Sequence, residues 1–564
     1  MQRPWLGRYD PGVPSTCVYP DCTLPDLLDR TAQRFPSHAA LLFYGTRVSF
    51  RELNDQAARF AGALRALGVR PGDRVALMLP NLPQTLIAYY GSLKAGAIVV
   101  QMNPLYVAPE IEAQLVDSGS ETIIALDLFF PRIQAVRERT PLKRIVLTSV
   151  RDFLPPLARL LYPVKARIEG RWIRVETRPP LYDLLDLVER SSPDGARLPE
   201  RKPDDIALLQ YTGGTTGSPK GVMLSHRNVV VNAVQCRAWV PGYQDGKEVF
   251  LGVIPYFHVY GLSTTQHLAV MSGCMQILLP RFKVDEALEA IHGHRVTIFS
   301  GIPAMFRLVG EFPRIDRYDL RSLRVCLSGA SPLHAAVQER FERLSGVKIS
   351  EGYGLTEASP VTHCNPVFGD RPAGSIGVPF PDTDCRILDL ETGQREVGVG
   401  EVGELAVRGP QLMQGYWNNE AETRAVLRDG WLYTGDIVKR DEAGFFYLVD
   451  RKKDMIKTRG ENVYPREVEE VLFKHPAIGD AVVAGIPHPY HGEAVKAYVV
   501  LREGCSVTER ELLEHCRRSL ASFKVPSAIE FRRELPRTLV GKALRRALRR
   551  EEECRRETKV VGKA

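Results

Sequence analysis

The chain has 564 residues, 44% of them hydrophobic and 25% charged, with a formal net charge of +8. This is ordinary globular composition at a length beyond one small core, so disordered, fibrous and disulfide-dense classes are excluded and several lobes are expected. Ten cysteines lie scattered without a CxxC pair, which excludes a zinc ribbon or dithiol redox motif and fits a reducing cytoplasm.

Met1 to Gly12 has no apolar core of the kind a signal peptide needs, so export is not expected. Ser49-Phe50-Arg51-Glu52 reads as a capping box. Leu53, Ala57, Phe60, Leu64 and Leu67 follow at helical spacing, and Gly68 ends the helix. Short apolar runs at Arg74–Leu79, Ala97–Gln101, Thr122–Leu126 and Arg144–Thr148, separated by helix-compatible stretches, give a βαβ rhythm and predict an α/β fold with helices covering parallel strands. After Phe153, the residues Leu157, Leu160, Leu161, Val164 and Ile168 fall on one helical face beside Arg159, Lys165 and Arg167. Such a segment can rest on a membrane surface, but the favoured expectation is a surface helix docked on its own domain, weakened by Pro163.

Following the strand-like Ile206–Leu209 comes Tyr211-Thr212-Gly213-Gly214-Thr215-Thr216-Gly217-Ser218-Pro219-Lys220-Gly221. Glycines let backbone N–H groups turn toward an anion, hydroxyls add donors and Lys220 adds a point charge, so this is a phosphate cradle. No Lys-Ser/Thr follows a glycine at Walker spacing, which disfavours a P-loop kinase or motor. Phe250 to Pro280 contains no Asp, Glu, Lys or Arg and is long enough to cross a bilayer. Its prolines, glycines, glutamines and histidines instead indicate buried strands and helices, or the wall of an apolar pocket. Near residue 450 the composition shifts to Asp450-Arg451-Lys452-Lys453-Asp454, where a domain boundary is expected. An arginine-rich stretch from Arg532 to Arg556 reads either as a solvated helix or as a basic face for phosphates, acidic lipid or coenzyme A.

The cradle, together with Ser328-Gly329-Ala330-Ser331-Pro332-Leu333, Glu351-Gly352-Tyr353-Gly354-Leu355-Thr356-Glu357, Tyr433-Thr434-Gly435-Asp436 and Pro536-Arg537-Thr538-Leu539-Val540-Gly541-Lys542, occurs in an order that resembles the adenylate-forming superfamily of acyl-CoA synthetases, luciferases and peptide-synthetase adenylation domains. The Arg151–Arg167 insertion resembles that of bacterial long-chain fatty acyl-CoA synthetases. The resemblance implies an α/β, multi-lobed N-terminal domain, residues 1–452, that binds ATP and the acyl group. It also implies a small mobile α+β domain, residues 453–564, carrying a catalytic lysine.

The same resemblance implies site roles. Gly329, Ala330 and Ser331 border the adenine and acyl group, and Glu351 and Gly352 belong to the nucleotide motif. Tyr353 stacks on the purine beside Gly354, and Thr356 donates to the α-phosphate. Glu357, with Thr212 or Thr216, supplies hard oxygens for Mg2+, which keeps waters and phosphates in its remaining shell. Asp436 accepts from the ribose hydroxyls with Arg451 nearby. Lys542 holds the attacking carboxylate and the α-phosphate together. Lys453 is the hinge, and Gly460 and Asn462 border the pantetheine tunnel of coenzyme A. Arg459 departs from the glycine that relatives often carry. Within Tyr256-Phe257-His258-Val259-Tyr260-Gly261-Leu262, His258 closes on the carboxylate or is a satisfied core histidine. Gly403–Pro410 and Gly415-Tyr416-Trp417 also resemble the family and are read as mainly structural.

The implied activity is ATP-dependent ligation of a medium- to long-chain fatty acid to coenzyme A. The alternatives are an aryl-acid or carrier-protein ligase, a luciferase-like oxidative enzyme and a non-catalytic lipid-binding scaffold. Expected partners are fatty acid, ATP and coenzyme A, without nucleic acid. Peripheral contact with the inner membrane face and a homodimer are compatible additions.

Overall fold

The computed structural model describes residues 3–170, 173, 175–192, 199–212, 219–458, 461–488, 492–538 and 541–561. The chain divides into two compact units. The first comprises 1–373, 377–384 and 408–432, and the second 374–376, 385–407 and 433–564.

The first unit contains two sheets. One runs in the order 415–416, 220–225, 206–212, 98–101, 74–78, 122–126, 144–148, 181–183. It is parallel from 206–212 onward, and 220–225 and 415–416 are antiparallel additions at one edge. Its strands are buried on both faces, and Ala76, Val100, Ile123, Ile145 and Leu209 share one apolar cluster, as expected where helices cover a parallel sheet. The capping box forms as read: Ser49 Oγ accepts from the Glu52 N–H at 3.2 Å, and Glu52 accepts from the Ser49 N–H at 2.7 Å, opening helix Phe50–Ala66. The second sheet carries parallel strands 349–354, 325–328, 298–301, 249–252, 275–278 and 39–43 side by side, flanked by antiparallel 361–364 and 46–49.

The charge-free stretch is core. It folds into strands Val249–Gly252 and Met275–Leu278 around a helical segment whose middle, Leu262–His267, is a π-helical turn. Among the described residues no helix is long and apolar enough to cross a membrane. His267, wholly buried, meets the Tyr89 hydroxyl at 2.8 Å, and burial pushes its imidazole down to about 3, so it stays neutral.

The helix after Phe153 differs from the favoured expectation. It forms as Pro156–Ile168 with Pro163 inside it, but its apolar stripe is not the face that docks. Ala166 is buried and Tyr162 and Pro163 are half-buried, whereas Leu157, Leu160, Leu161, Val164 and Ile168 are exposed.

The second unit is built on a five-stranded sheet ordered 461–463, 456–458, 492–501, 478–488, with 528–531 pairing parallel to 492–501. Alternation along 478–488 feeds two cores. Ala481 and Val483 pack with Val468, Leu472 and Leu512 from helices Pro465–Phe473 and Glu509–Arg517. Val482 and Ala484 pack with Leu548 of the last helix, Arg545–Val561.

Candidate functional site

In the first unit the motif residues gather where parallel strands end. The strands on either side of the glycine-rich segment, Ile206–Thr212 and Lys220–Ser225, pair antiparallel, with Thr212 directly opposite Lys220. The first strand runs three residues past the apolar Ile206–Leu209 because that ladder continues to Thr212. Gly213, Gly214, Thr215, Thr216 and Gly217 lie outside the described residues. Lys220 Nζ is 2.5 Å from Glu422 and 5.3 Å from the centre of the Tyr416 ring. A cavity of about 160 Å³ lies against them, lined by Asp117, Lys220, Trp417, Asn419 and Glu422 among others.

Strands Ile298–Gly301, Val325–Ser328 and Ile349–Gly354 end side by side, with Gly301 opposite Ser328 and Ser328 opposite Glu351. Gly329 and Ala330 follow directly. Ala330 has φ +69°, a left-handed conformation uncommon outside glycine and concentrated at functional sites. Tyr260 pins these ends together, its O–H lying 3.1 Å from the Gly301 carbonyl and 3.2 Å from that of Leu327. A Cβ on Gly329 would meet the Tyr260 ring at 3.3 Å. Tyr353 is half-buried, edge-on to His363 at 5.7 Å, and Gly354 must be glycine because a Cβ there would lie 2.1 Å from the Pro360 carbonyl oxygen. Thr356 and Glu357 open the next turn. The Tyr416 hydroxyl donates to Glu357 Oε1 at 2.8 Å. One tyrosine therefore touches both the cradle lysine and the acidic end of the Glu351–Glu357 motif. The sequence reading placed Gly415–Trp417 among structural residues, so this contact was missed, as was Glu422. The only signal was the aromatic cluster itself.

His258 caps the short helix that follows it, its Nδ1 accepting from the Tyr260 N–H at 3.2 Å. The preceding residue is fixed as well, because Gln210 Nε2 donates to the Phe257 carbonyl at 2.7 Å.

Among the described residues, no group of three or more His, Cys, Asp or Glu could hold a metal ion. The half-buried Glu357 carboxylate is a hard oxygen donor of the kind magnesium takes, an ion that fills the rest of its shell from phosphates and water.

The remaining motif residues lie in the second unit. Asp436 and Arg451 face each other across the hairpin of strands Trp431–Arg440 and Phe446–Arg451, with Nε to Oδ1 at 3.1 Å and the carboxylate buried. Lys453 sits in the exposed turn that follows. Lys542 ends a tight turn: its N–H donates to Thr538 Oγ1 at 3.1 Å, and the Thr538 N–H donates to the Lys542 carbonyl at 2.8 Å. Gly541 has φ +79°, which explains why glycine precedes the lysine. Burial, then the Arg451 and Lys453 cations, push the Lys542 ammonium down to about 7 against the pull of Asp436 and Asp454. The structure thus brings Lys542, Asp436, Arg451 and Lys453 into one electrostatic group. Arg545, absent from the sequence reading, braces that turn through Asp454 at 3.2 Å and Glu469 at 2.7 Å. Asn462 is exposed in strand Glu461–Val463, and Gly460 and Arg459 lie outside the described residues.

The family model of AMP-binding enzymes matches residues 28–417, and that of the AMP-binding enzyme C-terminal domain matches 467–542. The chain belongs to the AMP-binding enzyme family. Within it, the chain is 46% identical to a long-chain-fatty-acid–CoA ligase of Bacillus subtilis, covering 98% of both chains. It is 39% identical to a long-chain-fatty-acid–CoA ligase of Escherichia coli O157:H7, again covering 98% of both. ATP-bound MatB from Rhodopseudomonas palustris superposes with a TM-score of 0.82 at 28% identity, covering 94% of this chain and 99% of that one. The motif residues of this family member are divided between the two units, with Asp436 and Arg451 in the second.

Proposed function

We propose that the chain activates a medium- to long-chain fatty acid in two steps. The fatty carboxylate oxygen bonds to the α-phosphorus of ATP as the bond to pyrophosphate breaks, giving acyl-AMP. The sulfur of coenzyme A then attacks the acyl carbonyl. A C–S bond forms, the C–O bond to AMP breaks and the thiol proton passes to water. The enzyme is an AMP-forming acid–thiol ligase.

The observation that carries this reading is the end-to-end similarity to the B. subtilis long-chain-fatty-acid–CoA ligase, in a chain that holds the charges the chemistry requires. Lys220 and the loop 213–217 neutralise the outer phosphates, and Thr356 donates to the α-phosphate. Gly329–Ser331, Glu351, Gly352 and Tyr353 border the adenine, and Asp436 accepts hydrogen bonds from the ribose diol with Arg451 beside it. Glu357 and Thr212 would hold magnesium, which would offset the charge of the leaving pyrophosphate. Lys542 offsets repulsion between the carboxylate and the α-phosphate, an electrostatic role that needs its ammonium form. His258 closes on the carboxylate, and the charge-free stretch after it flanks the acyl chain. Lys453 opens a mobile domain, 453–564, that turns between half-reactions, and Gly460 borders coenzyme A in the second. The substrate is lipid-soluble, and the reading includes peripheral residence at the inner membrane face.

The test is CoA-dependent AMP release with acids from acetate to oleate plus benzoate, together with exchange of labelled pyrophosphate into ATP. A maximum among the longer acids is expected. Absence of exchange with every acid overturns the activity, and a preference for benzoate overturns the substrate class.

A further inference from the structure

Helix Pro156–Ile168 exposes the wrong side for a merely docked helix. At about 100° per residue, Leu157, Leu160, Leu161, Val164 and Ile168 occupy one narrow arc, and their exposures run from 55% at Leu161 to 82% at Ile168. The opposite arc is the one held by the domain: Ala166 is 3% exposed, and Tyr162 and Pro163 are half-buried. Five large aliphatic side chains aligned outward exceed the scattered singles of an ordinary surface.

Charge decides the occupant. Lys165 lies about 80° from the centre of the stripe on one side and Arg167 about 80° from it on the other, both exposed. Between Asp152 and Glu169 the chain has no acidic residue. An apolar stripe flanked by cations on both sides matches the boundary of an anionic bilayer, with acyl chains below and phosphates alongside. The helix is about 20 Å long at 1.5 Å per residue, too short to span a membrane but suited to lying flat in its surface.

From this arrangement we infer that helix Pro156–Ile168 seats the enzyme on an anionic phospholipid surface, the leucine stripe entering the headgroup boundary and Lys165 and Arg167 meeting lipid phosphates. The inference rests on the lipid-ligase reading and names the segment that delivers its membrane residence, where a poorly soluble acid would be collected.

The test is flotation of the full-length protein with phosphatidylcholine vesicles, with and without phosphatidylglycerol. Wild type should float with the anionic vesicles, and added salt should weaken binding. Leu160→Glu should lower partitioning by about tenfold or more, the value of one buried leucine, and Lys165→Glu by about fivefold or more. Both variants should keep wild-type CoA-dependent AMP release with octanoate, a soluble acid, which shows that the fold is intact. Flotation of both variants equal to wild type overturns the inference, as does wild type that ignores anionic vesicles. A wild-type dimer in light scattering that becomes monomeric in Leu160→Glu also overturns it, assigning the stripe to a second copy. Failure of wild type to turn over any acid refutes the ligase reading instead and leaves the flotation result to stand or fall alone.

Discussion

Two side chains illustrate how charge is managed before any nucleotide arrives. Lys542 is held near neutrality at physiological pH, because burial and two neighbouring cations outweigh two carboxylates and push it from an ordinary 10.5 to about 7. Above that value the folded protein carries it mostly neutral, and below it mostly charged. An anionic α-phosphate favours the charged form, so binding AMP at about pH 8 should take up close to one proton, and the uptake should fade as pH drops below about 6. Calorimetry in buffers of differing ionisation enthalpy measures it, and Lys542→Ala should abolish the uptake. Uptake unchanged in that variant would show that another group titrates. Tyr416 is the second case. Its O–H reaches Glu357 and its ring faces Lys220, so Tyr416→Phe keeps the ring and deletes one hydrogen bond to a charged acceptor. Such a bond contributes about 1.5–3 kcal/mol to folding stability, so the free energy of unfolding should fall by about that amount, and kcat/KM for magnesium-ATP should fall with it as Glu357 loses the hydroxyl that positions it.

At the scale of elements, the last helix and the turn before it behave as one brace. Arg545 donates twice to Glu469, at 2.7 and 2.9 Å, once to Asp454 at 3.2 Å and once to the Val483 carbonyl at 2.9 Å. It also opposes the burial that raises Asp450 to about 6. Arg545→Met fills much of the same volume but leaves those carboxylates without their cation, a loss of about 3–5 kcal/mol for a buried pair. Urea unfolding followed by fluorescence should show the second unit losing stability by that order, and an unchanged midpoint would mean the carboxylates find other partners. Arg545 was invisible in the sequence because its partners lie 62 to 91 residues away, and no local pattern announces them. The capping box at Ser49 and the parallel strands were legible because each is fixed by contacts within a few residues or by the burial of one continuous run. Helix Pro156–Ile168 marks the limit between the two. Periodicity revealed an apolar face, but whether that face turns inward depends on the domain it meets, and here Tyr162, Pro163 and Ala166 took that place.

Across the whole molecule the chemistry is divided between the two units, and the division is measurable. The first unit holds Lys220, Thr356 and Glu357, and the second holds Asp436, Arg451 and Lys542. On the proposed reading, the Lys542 ammonium offsets the repulsion of two anions meeting at one phosphorus. Thioester formation places no such demand on it: a neutral carbonyl is attacked and AMP, a good leaving group, departs. Lys542→Ala should therefore cut pyrophosphate exchange by about a hundredfold or more, the typical worth of one preorganised electrostatic contact. The same variant, given synthetic acyl-AMP and coenzyme A, should form thioester within about threefold of wild type. Glu357→Gln tests the other unit. Exchange should fall comparably, and excess magnesium should restore part of it, because the amide keeps one neutral oxygen for the ion but loses the charge that draws it. Excess magnesium should do nothing for Lys542→Ala. Equal loss of both half-reactions in Lys542→Ala would mean that the lysine acts on the acyl-adenylate itself, and the electrostatic role assigned to it in the first step would have to be abandoned.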